Sequence, residues 1–299
     1  MKISILTPTY NRARLLDKLY TSILINNNNS SYEIEWLIMD DGSTDCTKLV
    51  VENYIKEQII DIKYFYQDNR GKMAAINTLT EKATGDLIIE CDDDDYFSID
   101  AFKIIEESLK ECRDIASVYA MVFLKYDQDG NNMGNDFPDD NYESSMFDLY
   151  FKEGITGEKA LVYNAIIRRQ FKYELENNEK FVTEARLHHK MDMQYNVKCF
   201  NKKIMTCEYR EDGYTNSIDK LFIENPLGYY EYFKEIFYQD MHGTTWNKRL
   251  YVYKHYVLFS VLTNKEHVIR NVNGGFNKLM VALLYVPGKI KTKKRFKSN

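Results

Sequence analysis

The chain has 299 residues, 44% hydrophobic and 28% charged, with a formal net charge of −5. These are the proportions of a water-soluble globular chain with room for one or two domains, and the acidic balance argues against wholesale nucleic-acid binding. The five cysteines (Cys46, Cys91, Cys112, Cys199, Cys207) are scattered and form no CxxC pair, so neither a zinc site nor a disulfide framework is expected and a reducing cytoplasm fits best.

Strands and helices alternate over the first 125 residues. After Met1 and Lys2, residues 3–7 read as a short apolar strand, too short for a signal peptide and stopped at Pro8. Asn11 is placed to cap a helix whose Leu15, Leu16, Leu19 and Ile23 share one face, and the polar run 26–31 ends it. Residues 34–39 form a second buried strand. Ser43, Thr44 or Asp45 then caps a helix with Leu49, Val50, Tyr54 and Ile55 expected inward. Residues 62–66 are a third strand, followed by a helix carrying Met73, Ile76 and Leu79 and closed at Gly85. Residues 87–90 are a fourth strand that runs into Asp92, Asp93, Asp94 and Asp95. A helix around 102–109 and a strand near 117–124 complete the series.

Beyond residue 125 the pattern changes. Asp127-Gln128-Asp129-Gly130-Asn131 reads as a hairpin turn, residues 131–145 as polar loop, and the remainder as mainly helical and tyrosine-rich. No segment approaches the roughly 18–20 apolar residues of a membrane span. The longest candidate, residues 279–286, is followed by Lys289, Lys291, Lys293, Lys294, Arg295 and Lys297. It reads either as a segment resting on an anionic membrane surface or as a core helix with a solvated tail.

The alternation predicts an α/β fold with a mostly parallel sheet flanked by helices, whose ligands bind at the carboxyl ends of strands. Three strand ends are unusual: Pro8-Thr9-Tyr10-Asn11, Asp40-Asp41-Gly42-Ser43 and Asp92 to Asp95. They occupy the same structural position and are expected to converge on one crevice. Four adjacent carboxylates repel, so some must be protonated or meet a cation. Oxygen-only ligands favour Mg2+ or Mn2+, held by one or two carboxylates with substrate phosphates completing the shell. A solvated acidic turn is the plainer reading, and the shared crevice weighs against it. Asp40 and Asp41 suit either a base or ribose contact or an Asx turn before a helix, with Gly42 permitting positive φ. Arg70 and Lys72, at a helix start, suit phosphate neutralisation or simple solvation.

The segments Ile3-Ser4-Ile5-Leu6-Thr7-Pro8-Thr9-Tyr10-Asn11-Arg12, Trp36 to Asp45 and Gly85 to Asp95, in that order and spacing, resemble family 2 glycosyltransferases. The resemblance is clear over residues 1–125 and weaker beyond. It implies a GT-A fold with a helical C-terminal extension: a nucleotide-sugar-binding core over 1–125, an acceptor-side half over 126–225, and a helical region with a basic tail over 226–299. It implies that Pro8, Thr9 and Tyr10 line the nucleotide pocket, that Asp41 binds the base with Asp40 beside it, and that Asn69, Gly71, Lys72 and Asn77 lie near the donor. Asp92, Asp93 and Asp94 occupy the D-x-D element, with Asp94 as the metal ligand, Asp95 sharing that role and Asp92 toward the ribose.

The same resemblance implies an inverting transfer from a nucleotide-diphosphate sugar, commonly UDP-linked, to a glycan or lipid-linked acceptor. The base would be Glu184, in Phe181-Val182-Thr183-Glu184-Ala185-Arg186, where the family's following aspartate is replaced by alanine. His188 and His189 follow closely but diverge on a helix, so core contact or solvation is expected of them. Residues 208–215 read as a loop near the donor with Arg210 or Asp212 in contact, residues 154–158 as the acceptor mouth, and Trp246 as a sugar-stacking candidate. No Q-x-x-R-W stretch occurs, which favours a non-processive enzyme. A nucleotidyltransferase would carry a Gly-rich loop after the first strand where Pro8-Thr9-Tyr10-Asn11 stands, and a catalytically inactive sugar-binding relative is the remaining alternative.

Overall fold

The structure, a computed structural model, describes residues 1–112, 116–208 and 218–296. In chain order the elements are β1 (Lys2–Thr9), α1 (Leu16–Asn29), β2 (Glu33–Asp40), α2 (Thr47–Glu57), β3 (Asp61–Tyr66), α3 (Lys72–Lys82), β4 (Leu87–Glu90), β5 (Asp95–Phe97) and α4 (Ala101–Glu111). There follow β6 (Val118–Tyr126), β7 (Tyr142–Ser144), α5 (Met146–Phe151), β8 (Lys159–Asn164), α6 (Ala165–Arg168), α7 (Glu184–Met191) and β9 (Asn196–Cys207). The last four are α8 (Ile218–Glu224), α9 (Pro226–Ile236), α10 (Trp246–Leu262) and α11 (Gly275–Phe296). Two compact units result: Met1–Tyr173 with Leu187–Arg210, and Glu174–Arg186 with Glu211–Asn299.

All described strands belong to one sheet in the first unit, in the order β3-β2-β1-β4-β8-β6-β9-β5, with β7 also paired to β9. β1, β2, β3 and β4 pair with one another in parallel. Beyond β4 the sheet turns mixed: β8 is antiparallel to β4 and β6, β6 is parallel to β9, and β5 is antiparallel to β9. The parallel strands are near-continuous apolar runs because both faces are covered. Ile3, Ile5, Trp36, Ile38 and Ile89 pack in one cluster with Leu16, Leu19 and Ile23 of α1, Val51 and Tyr54 of α2, and Phe102 and Ile105 of α4. α3 packs on β1 and β2 through buried Met73, Ile76 and Leu79, outside that cluster. The turn expected at residues 127–131 is present, with the Asp127 amide donating to the Asn131 carbonyl at 2.9 Å.

Two local expectations are corrected. α2 faces inward through Thr47, Val51 and Tyr54, at i, i+4 and i+7, while Leu49 and Ile55 are exposed. Tyr54 decides the rotation, because its ring stacks on Tyr20 with centroids 4.0 Å apart. Asn11 does not cap α1: it sits at φ 53° and its side chain accepts from the Thr44 amide at 2.7 Å. Asp45 instead ties the two helix starts together, accepting from the amide of Ala13, in the turn before α1, at 3.1 Å and from that of Thr47, the first residue of α2, at 3.0 Å.

A buried charge ties together β1, β2, β3 and the turn before β4. Glu35 is fully buried and accepts from Ser4 Oγ at 2.5 Å, the Thr84 amide at 2.6 Å and Lys63 Nζ at 2.7 Å, with Lys2 Nζ at 2.8 Å. Burial alone would raise its pKa, but the donors from Lys2, Lys63, Ser4 and Thr84 together hold the carboxyl well below the usual carboxylate range. A pKa depressed by folding adds stability that is complete above the unfolded value and shrinks as pH falls toward the folded one. Glu35→Gln is therefore expected to lower Tm at pH 7, and the gap to the wild type to narrow below about pH 4.3. Melts of both proteins from pH 7 to pH 3 check it; a gap constant with pH would refute it.

In the second unit the tyrosines of α9 are core. Tyr229 stacks on Phe259 at 4.9 Å, Tyr230 on Tyr256 at 5.5 Å, and Phe233 on Phe259 at 5.6 Å. Arg186 is buried and clamped by Glu235, with Nε to Oε2 at 3.0 Å and Nη2 to Oε1 at 2.8 Å, and it also meets Glu174 and Glu176. Such a bidentate pair fixes direction as well as position, and it lies two residues after Glu184.

Candidate active site at the carboxyl ends of the parallel strands

The strand order places the ends of β2, β1 and β4 side by side, and hydrogen bonds join them. The Asp41 amide donates to the Thr9 carbonyl at 2.9 Å, the Gln67 amide to the Asp40 carbonyl at 3.0 Å, and the Cys91 amide to the Leu6 carbonyl at 3.0 Å. Thr9 Oγ1 donates to Asp93 Oδ2 at 2.7 Å across the β1–β4 boundary. Pro8 is buried within β1, while Tyr10, just beyond it, is about half exposed.

Asp40 and Asp41 are buried and shape the loops. Asp40 accepts from the Ser43 amide at 2.7 Å and Tyr64 Oη at 2.6 Å. Asp41 accepts from Gln67 Nε2 at 2.7 Å and from the amides of Arg70 and Gly71, each at 2.8 Å. Gly42 and Gly71 both adopt φ of 90°. At Gly42 a Cβ would also lie 3.0 Å from the Asn69 amide nitrogen, so both strain and space call for glycine there. Together these contacts fix the loop that carries Asn69, Gly71 and Lys72.

Each carboxylate of the acidic run has a cation. Lys72 Nζ donates to Asp92 Oδ2 at 2.8 Å. Arg12 Nη1 spans two of them, Asp93 Oδ1 at 3.1 Å and Asp94 Oδ2 at 3.2 Å. Lys125 Nζ donates to Asp95 Oδ2 at 2.8 Å. Asp93 is buried, and burial pushes its pKa up to about 7 against the pull of Arg12 and Thr9. Asp94 rises to about 6, from burial first and then from the charges of Asp92 and Asp95. The crowding expected of four carboxylates is thus answered by Arg12, Lys72 and Lys125 and still leaves Asp94 hard to ionise.

Asp95 is placed differently from the metal-sharing role expected of it. It begins β5, opposite Cys207 of β9, and both it and the Lys125 ammonium are buried in their ion pair. Its charge is already matched. Asn77 is also otherwise engaged: its amide exchanges two hydrogen bonds with the Tyr173 backbone, at 2.8 and 2.9 Å. His188 and His189 lie in the core. His188 Nε2 is 2.9 Å from Tyr163 Oη, and His189 meets the rings of Phe147 and Phe151 edge-on. Burial pushes the His189 imidazole down to about 3 and keeps it neutral.

Glu184 is exposed in the first turn of α7, in the second unit. Trp246 is half exposed at the start of α10. Arg210 and Asp212 lie outside the described residues. The sequence reading assigned nothing to Arg12, Lys125 or Arg168. Arg12 was within sight, as the last residue of the first motif. Arg168 is fully buried, donates to Glu90 Oε1 at 2.8 Å and the Phe171 carbonyl at 2.7 Å, and anchors the last residue of β4. Its position in an unremarkable helical turn gave no signal.

The residues fit a divalent cation. Among the described residues no ready-made group of three or more His, Cys, Asp or Glu could hold one. Asp92 and Asp94 keep partly exposed carboxylates, each with a single cationic contact. One or two carboxylates of this kind, completed by phosphate oxygens, is how Mg2+ is usually held.

A family model described as glycosyl transferase family 2 matches residues 4–175, more than half the chain. An uncharacterized glycosyltransferase of Mycoplasma genitalium is 36% identical over 123 residues, 40% of this chain and 41% of that protein. The GalNAc(5)-diNAcBac-PP-undecaprenol beta-1,3-glucosyltransferase of Campylobacter jejuni is 34% identical over 112 residues, 37% of this chain and 35% of that protein. The matches therefore span well under half the length of these relatives. Among solved structures, S. aureus TarS 1-349 in complex with UDP-GlcNAc aligns with a TM-score of 0.60 at 15% identity, over 100% of this chain and 92% of that one. The mannosyltransferase PcManGT from Pyrobaculum calidifontis, in complex with GDP-Man and Mn2+, aligns at 0.54 and 16%, over 97% and 83%. At these identities the likeness speaks for the fold, which is GT-A.

Proposed function

We propose a function from one premise: the chain belongs to glycosyl transferase family 2. It transfers a sugar from a nucleotide-diphosphate donor, UDP-linked by preference, to a glycan or lipid-linked saccharide, with inversion and with Mn2+ or Mg2+. The observation that carries this is the convergence of Thr9, Arg12, Lys72, Asp92, Asp93 and Asp94 at the carboxyl ends of β1 and β4. The complexes of the two structural neighbours, UDP-GlcNAc with one and GDP-Man and Mn2+ with the other, support the donor class and the metal. Five free thiols are in keeping with a cytoplasmic site of action.

In this reading Asp94 would hold the divalent cation directly, assisted by Asp92, and the cation when bound would supply charge stabilisation to the departing diphosphate. Pro8, Thr9 and Tyr10 border the nucleotide. Asp41, with Asp40 beside it, is the residue for the nucleotide base, and it also holds the loop after β3 that presents Asn69, Gly71 and Lys72 to the donor. Arg12 and Lys72 turn from carboxylates to phosphate oxygens when the donor enters, since both are charge-assisted donors. Glu184 takes the proton from the acceptor hydroxyl as its oxygen bonds to the anomeric carbon. The bond from that carbon to the diphosphate breaks on the opposite side, and the nucleoside diphosphate leaves with the electron pair.

Calorimetry with UDP and UDP-, GDP- and dTDP-sugars, each with and without Mn2+, tests the reading. Micromolar binding of one nucleotide sugar, strengthened by Mn2+, is the expected result. Absence of binding by all of them would sink it. Binding without turnover on any acceptor tried would favour an inactive sugar-binding relative.

A further inference from the structure

α11 leaves an apolar stripe uncovered. Phe276, Leu279, Leu283, Val286 and Ile290 are each more than half exposed. Their spacing of three, four, three and four residues puts them on one side of the helix. The opposite side is the packed one: Val281 and Thr292 are buried, and a Cβ at Gly288 would lie 2.6 Å from Val257 Cγ1 of α10. The half-exposed Trp246 ring lies 6.4 Å from Phe276 and extends the stripe at its N-terminal end. The helix runs on through Arg295 to Phe296, so the basic residues up to Arg295 belong to it.

The charge of the helix is equally one-sided. α11 carries Lys278, Lys289, Lys291, Lys293, Lys294 and Arg295 and no Asp or Glu, in a chain whose net charge is −5. Lys291 and Lys293 fall on either flank of the stripe at 100° per residue. Among the described residues no helix is long and apolar enough to cross a membrane.

We propose that α11 is a lipid-surface helix: the stripe from Phe276 to Ile290 enters the headgroup region of an anionic bilayer, and the flanking lysines pair with its phosphates. An apolar face bordered by lysines, with an aromatic residue at its end, is what an interfacial helix needs. A second copy of the chain fits less well. It would bring two lysine-rich helices together, Arg295 being matched by Asp219, and five half-exposed side chains offer roughly 500 Å² where a stable dimer needs about 800 Å² per partner. The inference stands apart from sugar transfer, because lipid binding requires no donor.

The test is co-sedimentation of the full chain with vesicles of phosphatidylcholine alone and with added phosphatidylglycerol, at 0.1 and 0.5 M NaCl. Binding is expected only to the anionic vesicles, and to weaken at the higher salt. Leu279→Gln with Leu283→Gln should weaken it at least tenfold. Lys289→Gln, Lys291→Gln and Lys293→Gln together should weaken it about 100-fold, at about fivefold per lysine. Both variants change exposed positions, so their melts should match the wild type. No association with anionic vesicles, or association untouched by both variants, overturns the proposal. So does a dimer in analytical ultracentrifugation that Leu279→Gln with Leu283→Gln dissolves while vesicles go unbound.

Discussion

Asp94→Ala is expected to abolish Mn2+-dependent strengthening of UDP binding and to cut turnover by about three orders of magnitude or more, the several kcal/mol that Lewis-acid stabilisation of a leaving group is worth. Asp94 is the one member of the acidic run that combines partial exposure with a carboxyl made hard to ionise, by burial first and then by the charges of Asp92 and Asp95. A proton and a metal compete for such a group. Because its pKa is raised to about 6, Mn2+ affinity should be level above that pH and fall toward tenfold per unit below it. Titration of Mn2+ by electron paramagnetic resonance, with and without UDP, reads both effects directly. Asp95→Ala is the contrasting control. It strands the buried Lys125 ammonium, so its loss should appear as destabilisation of about 3–5 kcal/mol. Should Asp95→Ala melt like the wild type and lose Mn2+ while Asp94→Ala keeps it, the assignment of the two residues would be reversed.

Glu184→Gln is expected to lower kcat by about 10²–10⁴ with little change in donor or metal affinity, the range that a positioned general base supplies. The side chain is exposed in the first turn of α7, so the variant should lose only the small contribution of its charge to the helix dipole and melt a few degrees or less below the wild type. Arg186, buried and held by Glu235, Glu174 and Glu176, pins the start of the helix. Single-turnover kinetics separate chemistry from binding. Turnover preserved in Glu184→Gln would remove it as the base and move the search to other carboxylates.

The N-terminal half of the sheet was legible because its physics is local. Two-face burial makes each parallel strand an apolar run, and the helices between them repeat at 3.6 residues, so β1 to β4 and their intervening helices could be placed to within a few residues. The meeting of strand ends followed from topology alone, and the structure joins Thr9 to Asp93 and Asp41 to Thr9. What stayed hidden depends on partners distant in sequence. β8, β6 and β9 pair in mixed directions that no periodicity encodes. The inward face of α2 is chosen by Tyr20 and Trp36, one on α1 and the other on β2. Lys125, 30 residues beyond Asp95, could not be matched to it by spacing. Nothing in the sequence separates residues 174–186 from the stretch before them, yet they group with the C-terminal helices.

The bridge from Arg12 to Asp93 and Asp94 bears on the order of events at the site. A guanidinium seated on both carboxylates is a resident counter-ion, and a bare cation arriving alone would have to evict it into water with nothing offered in exchange. A nucleotide that brings its own cation supplies, in the same step, a pyrophosphate to which that guanidinium can transfer. On the proposed reading, donor and cation would therefore load together by charge balance, with Arg12 passing from the two carboxylates to the pyrophosphate.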